Sequence, residues 1–254
     1  MLRVKRALNG NYMKTNLPSE IIYRFSNRED GNLSFKWATD KQEALENRRK
    51  FLEKLGVNLE DCVCMSILDS DQVVEVNKDM KGFGMSDVSQ AVKADAIFTK
   101  EFDVGLLLLT GDCLPIVLFD PVARVLALAH LSWKSTEAKL LSRVIEKMQA
   151  HNSKPSDVVV YIGPGIHGGS YKFENPIQKN LPGWESFLED LPDGQTAVDI
   201  VGYNTKQLID SGISKENIEV CPIDTATDQN MFSHYRSVRT GEPEGRFVTV
   251  AMMT

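Results

Sequence analysis

TGDCLPIVLFDPVARVLALAH, residues 110–130, folds back on itself at Asp120-Pro121-Val122-Ala123. Asp at the first position and Pro at the second, with its fixed φ, suit a type I turn. LPIVLF before it and RVLALAH after it are rich in residues that fit a pleated, buried surface. With Phe119 opposite Arg124, the register runs outward through Val117 with Leu126 and Pro115 with Leu128, and reaches Cys113 opposite His130. Directly opposed residues have Cβ atoms roughly 4.5–5.5 Å apart, close enough for a thiolate and an imidazole to share a metal or a proton. The other face pairs Leu118 with Val125, Ile116 with Ala127 and Leu114 with Ala129, so burial on both sides is expected. Either polar residue alone would be a packed core residue. Together in register, with Asp112 adjacent and SWKST following, Cys113, His130 and Asp112 form a candidate catalytic set.

The rest of the chain bounds the reading. A length of 254 residues suffices for a substantial core, and 42% hydrophobic with 25% charged residues is an ordinary globular composition. A net charge of −6 argues against binding the phosphate backbone of nucleic acid. No apolar run approaches the roughly 18 residues that span a bilayer, and MLRVKRALNGNYM lacks the apolar core of a signal peptide. The chain therefore reads as cytoplasmic, with no nucleic acid and no membrane among its partners. Cys62, Cys64, Cys113 and Cys221 make no disulfide framework in such a setting. Cys62 and Cys64 alternate on a strand and are expected to pack in the core.

No repeat or linker divides the sequence, which gives one domain over residues 13–254 preceded by a possible extension, residues 1–12, with Met13 an alternative start. Strands are expected in EIIYRFS, VCMSIL, QVVEV, DAIFT, VGLLLLT, DVVVYI, IEVCPID and RFVTVAMM. Asp40 and Glu43 at capping-box spacing open a helix that Gly56 stops, with Leu45, Phe51, Leu52 and Leu55 inward. TEAKLLSRVIEKMQA predicts a second helix with Ala138, Leu141, Val144, Ile145 and Met148 on its apolar stripe, and NTKQLIDSG a third closed by Gly212. KGFGMSD reads as flexible. Hairpins with few strand-helix-strand crossovers favour an α+β class, an α/β sandwich of mixed strands and helices. GPGIHGG lacks the spacing of a nucleotide-binding fingerprint.

KADAIFT, LLTGDCLPIVLFD, VLALAHLSWKS, YIGPGI with YKF, DIVGYNTKQLIDSGI, CPID with FSHYR, and EGRFVTV follow one another in an order that resembles the laccase-domain, or YfiH-type, family, also called polyphenol oxidase family proteins. The resemblance spans nearly the whole chain. It implies an α/β sandwich with a shallow site that holds zinc, or copper in older descriptions, through two histidines and one cysteine. It also implies activity on purine nucleosides, as phosphorylase, hydrolase or adenosine deaminase, with a bacterial branch linked to editing of peptidoglycan precursors. Purine nucleoside and phosphate are thus the expected small-molecule partners. The family's cysteine falls on Cys113 and its second histidine on His130. Its first histidine, in a Gln-x-His-Gly segment, falls on Asp69 of Ile67-Leu68-Asp69-Ser70; a shift of two residues would place Asp71 there.

Other departures accompany this one. The family's His-Ala-Gly-Trp-Arg-Gly reads His130-Leu131-Ser132-Trp133-Lys134-Ser135 here, and Tyr-Glu after the glycine turn reads Tyr171-Lys172. Asp69, Cys113 and His130 remain an acceptable zinc set with a fourth position for water. Four histidines, His130, His151, His167 and His234, are too few for multicopper redox chemistry. The resemblance also matches Arg28 and Arg246 to family arginines near the site, as substrate-binding candidates. His167 in the glycine turn is a minor candidate, and Asn47-Arg48 is read as helix surface. Two alternatives stay open: a metal-free Cys113–His130 hydrolase or amidase, as in the cytotoxic necrotizing factor deamidases that share the broad fold, and a catalytically inactive binding module.

Overall fold

A computed structural model describes residues 15–254, so the expected extension over residues 1–12 and the alternative start at Met13 lie outside the described residues. Two mixed sheets carry the architecture. One orders its strands Ile21–Phe25, Phe247–Met253, Gly105–Thr110, Cys62–Ser66, Val92–Lys93; the other orders Ile218–Val220, Val159–Ile162, Leu114–Asp120, Val125–Leu131, Ala96–Thr99, Val73–Glu75. A third, small sheet of Lys172–Phe173, Thr196–Val198 and Leu188–Asp190 escaped the sequence reading, because strands of two or three residues leave no periodic signal.

The hairpin lies at the centre of the six-stranded sheet and is buried at every position of both strands, as its two apolar faces required. Its inner face, with Val117, Phe119, Leu126 and Leu128, packs against Leu106, Leu108, Ala251 and Met253 of the other sheet. Its outer face, with Ile116, Leu118, Ala127 and Ala129, packs under helices Leu140–Gln149 and Ile200–Asp210 through Leu141, Val144, Met148 and Leu208. The helix Lys41–Glu53 covers the far face of the five-stranded sheet, setting Phe51 and Leu52 on Leu107, Val248, Cys62 and Cys64. The result is a helix–sheet–sheet–helix sandwich, and the paired thiols are core groups as expected. Burial pushes Cys62 up to about 12 and raises Cys64.

The hairpin register differs from the expected one by two residues: Phe119 faces Leu126, Val117 faces Leu128 and Pro115 faces His130. Asp120 pairs with Val125, which was expected opposite Leu118, and its Oδ1 accepts the amides of Val122 and Ala123, both at 2.8 Å, while Arg124 turns the corner at φ 54°. The loop therefore runs over residues 121–124. Cys113 is not opposite His130 and lies just outside the strand. Since side chains alternate with period two, a slip of two keeps every strand residue on its face, so His130 stays on the inner one, and Cys113, beyond the strand end, still meets it side chain to side chain.

Three helical details also differ. The second helix is broken into Trp133–Glu137 and Leu140–Gln149 at Lys139, whose left-handed φ of 61° re-aims the axis so that Leu140 and Leu141 reach the sheet; Ala138, expected on the apolar stripe, is exposed. Arg48 is not on the helix surface but 1% exposed. Its Nε donates to Leu33 O at 2.8 Å and its Nη1 to the carbonyls of Gly84 and Met85 at 2.9 Å each, over the Phe35 ring at 4.0 Å. That clamp, with the amides of Gly82 and Cys64 bonded to Cys62 O and Phe83 O, holds the KGFGMSD segment expected to be flexible. Arg48→Met keeps the volume but strips three buried carbonyls of their donor, so a loss of about 3 kcal/mol is expected. A lower urea midpoint at unchanged slope is the signature to look for.

Candidate active site

Cys62–Ser66, Gly105–Thr110 and Val92–Lys93 are parallel to one another, so their C-terminal ends lie at one end of the sandwich. From each of these ends the chain crosses to the other sheet, entering Val73–Glu75, Leu114–Asp120 and Ala96–Thr99 respectively. The crossings carry Asp69, Cys113 and Asp95. His130 meets them from the C-terminal end of the hairpin strand Val125–Leu131. Topology thus gathers residues that the sequence spreads over about sixty positions.

His130 is 3% exposed. Its Nδ1 lies 3.2 Å from Asp95 Oδ1, and its amide donates to Asp95 O at 2.7 Å. With Nδ1 directed at a carboxylate, Nε2 is the nitrogen left for chemistry. Burial opposes a charge on the ring, but Cys113 beside it and the hydrogen bond to Asp95 outweigh this and push its pKa up to about 9. Burial alone would raise Asp95, whereas its bonds to His130 and Ser70 bring it below the ordinary carboxylate value.

Asp69 has a left-handed backbone, φ 57°, which Asp tolerates better than most residues. Ser132 Oγ donates to its Oδ1 at 2.7 Å and Lys134 Nζ to its Oδ2 at 3.3 Å. The departures at Asp69, Ser132 and Lys134 therefore touch one another. Ligand atoms of Asp69, Asp95 and His130 lie within 4.8 Å of one another; Cys113 is not in that group. Asp71 instead receives Arg143 Nε at 3.3 Å.

By chemistry, though not by the spacing of Cys113, these donors suit a borderline divalent ion. Imidazole Nε2, thiolate and carboxylate are all zinc ligands, and the carboxylate behind the histidine is the usual orienting partner. The Asp69–Lys134 pair does not bar an ion, since side chains 36% and 53% exposed form a bridge worth about 1 kcal/mol or less.

The remaining candidates occupy definite places. Both Asp112 oxygens are engaged, one by Thr225 Oγ1 at 2.7 Å and the other by the Tyr235 amide at 2.6 Å, so this carboxylate ties the Cys113 turn to the start of helix His234–Thr240. Gly165 permits that turn to pack: a Cβ there would come within 2.9 Å of Asp112 O. Arg246 lies against Gly111, pairs with Glu244 at 2.7 Å and stacks over Trp37. Arg28 is bonded to Glu242 at 2.6 Å and to Met231 O at 3.1 Å. His167 lines a groove of about 540 Å³ with Phe187, Asp199 and Gly202, which neither Cys113 nor His130 lines.

Sequence reasoning missed Asp95 and Tyr171 as site residues. Burial first, then the charges of Cys113 and Asp112, raise the Tyr171 phenol, which places it beside the Cys113 turn. The available signal for Asp95 was an acid inside KADAIFT, directly before a buried strand, with no turn to serve.

Residues 23–254 match the family model described as multi-copper polyphenol oxidoreductase laccase, and the chain belongs to that family. The purine nucleoside phosphorylase YlmD of Bacillus subtilis is 28% identical over 204 residues, covering 76% of this chain and 72% of that protein. YlmD of Geobacillus stearothermophilus is 29% identical over 215 residues, with 82% and 78% covered. The crystal structure of the latter superposes with a TM-score of 0.85 at 26% identity, covering 92% of each chain. The Bacillus licheniformis hypothetical protein YfiH also reaches 0.85, at 23% identity and with 92% and 93% covered, and bears on the fold alone. No helix among the described residues is long and apolar enough to cross a membrane.

A histidine whose folded-state pKa is raised stabilises the protein fully below its unfolded value of about 6.5, and that contribution is lost as pH rises through the folded value. In chelator-treated protein, NMR titration is expected to place the His130 midpoint near 9. Cys113→Ala should lower it; an unchanged midpoint would show that Cys113 does not hold the charge.

Proposed function

We propose that this protein is a purine nucleoside-processing enzyme that cleaves the bond between the base and ribose with phosphate as acceptor, at a zinc site held by Asp69, Cys113 and His130. The observation that carries the reading is the meeting of Cys113 with a buried His130 whose Nδ1 is fixed on Asp95, beside the Asp69 carboxylate. The names of the YlmD relatives supply the substrate class.

A bound zinc ion would supply Lewis acidity and an acidified water at this end of the sandwich. The chain's own groups do the rest. Asp95 keeps the His130 ring from turning, and Ser132 keeps Asp69 aimed. Lys134, half exposed at the rim, and Arg246, beside the Cys113 turn, are the cations placed to hold phosphate. In the reaction a phosphate oxygen bonds to ribose C1′ as the bond from C1′ to the purine nitrogen breaks, and the base leaves with a proton.

Untagged protein purified without chelator is expected to contain near-stoichiometric zinc by plasma mass spectrometry, and Cys113→Ala to lose it. Adenosine, inosine or guanosine should release free base only with phosphate, with a loss of about 100-fold or more in Cys113→Ala and His130→Ala. Metal retained in Cys113→Ala would refute the ligand assignment. Absence of metal with rapid alkylation of Cys113 would turn the reading to a thiol nucleophile, and base release that survives both substitutions would remove the site from the reaction.

A further inference from the structure

Asp95 has the highest density of polar contacts in the site, and nothing in the family comparison assigns it a role. Its residue is fully buried, where an ionised carboxylate is costly unless its lone pairs are satisfied. Oδ1 accepts the Asp69 amide at 3.0 Å and faces His130 Nδ1 at 3.2 Å. Oδ2 accepts the Leu68 amide at 3.2 Å, the Ser70 amide at 2.9 Å and Ser70 Oγ at 2.9 Å. Its main chain repeats the pattern, since its amide donates to Gln72 O at 3.0 Å and its carbonyl accepts from His130 N at 2.7 Å. Every polar group of Asp95 is therefore bonded either to the 68–72 crossing or to His130.

Three successive amides converging on one carboxylate require a tightly curled backbone, and Asp69 supplies the curl with its left-handed φ. The curl sends the Asp69 side chain toward Ser132 Oγ. One side chain thus sets two things at once: which nitrogen of His130 is free, and where the Asp69 carboxylate stands.

We propose that Asp95 is the positioning residue of this site, coupling the orientation of His130 to the placement of Asp69 through the amides of residues 68–70. The proposal rests on the reading of Asp69, Cys113 and His130 as the working groups. Asparagine cannot replace it, although the shape is the same. The partners of the Asp95 carboxylate are all donors, and Asn would offer one oxygen to some of them and turn an NH2 group on the others. The oxygen is expected to stay with the three donors on Oδ2, the Leu68 and Ser70 amides and Ser70 Oγ, leaving the NH2 in the place of Oδ1, against the Asp69 amide and facing His130 Nδ1, which must then accept and carry its proton on Nε2.

The experiment compares Asp95→Asn with the native chain, after circular dichroism confirms that both are folded. Zinc alone is the probe, titrated against a chromophoric chelator, and affinity is expected to fall by about 10- to 100-fold. In chelator-treated protein, ¹⁵N NMR should show loss of the hydrogen-bonded Nδ1–H signal of His130. In turnover, kcat should fall with KM little changed. An Asp95→Asn protein that keeps both the Nδ1–H signal and the zinc affinity of the native chain overturns the proposal. If the native chain binds no zinc and turns over no nucleoside, the proposed function fails, while the Nδ1–H signal still decides the role of Asp95. Should Asp95→Asn not fold, Ser70→Ala removes the hydroxyl's bond to Asp95 Oδ2, and the one it accepts from the Gln72 amide, without touching His130. It is expected to speed amide exchange at residues 68–70 and weaken zinc binding several-fold with the Nδ1–H signal kept; unchanged exchange and affinity would overturn the coupling.

Discussion

Burial of the central hairpin on both faces is the constraint from which the architecture follows. Neither face of Leu114–Asp120 and Val125–Leu131 can meet water, so a helical layer must cover one and a second sheet the other. The second sheet is in turn apolar on its far side, through Leu107, Val248, Val250 and Met252, and requires the Lys41–Glu53 helix. Four layers are the least that leave each of these surfaces covered.

A sandwich built this way has to pass its chain between sheets, and three passages occur at the ends of neighbouring parallel strands. There the backbone leaves its ladder and its polar groups need other partners. Asp95 supplies them for the 68–70 passage, and Asp112 ties the Cys113 passage to the Thr225 loop and the helix beyond. The carboxylates that close the edge of the fold are the same ones bonded to His130 and built into the turn that carries Cys113.

The local chemistry is graded by environment. Cys62 and Cys64 lie deep in an apolar layer, where burial holds them as thiols, while Cys113 stands half-buried beside an imidazole. Arg48 and Arg246 show the same contrast. The first spends its donors on three loop carbonyls inside the protein, and the second stacks over Trp37 next to the Cys113 turn. Residue type alone distinguishes neither pair.

The sequence by itself determined every strand of the two large sheets except the two-residue Val92–Lys93, the two-sided burial of the hairpin, the association of Cys113 with His130, and the family motifs, because period-two alternation and turn chemistry are local properties of the chain. It misplaced the register by two residues, since the extent of the loop depends on Arg124 adopting a left-handed conformation that local propensity does not favour. Arg48 read as surface because a charge on a helix is normally solvated, and only the carbonyls of Leu33, Gly84 and Met85, remote in sequence, make its burial tolerable. The contacts among Asp69, Ser132 and Lys134, and the role of Asp95 between Asp69 and His130, were decided by tertiary structure alone. They join three crossings of separate strands, and no spacing along the chain records which strand ends lie side by side.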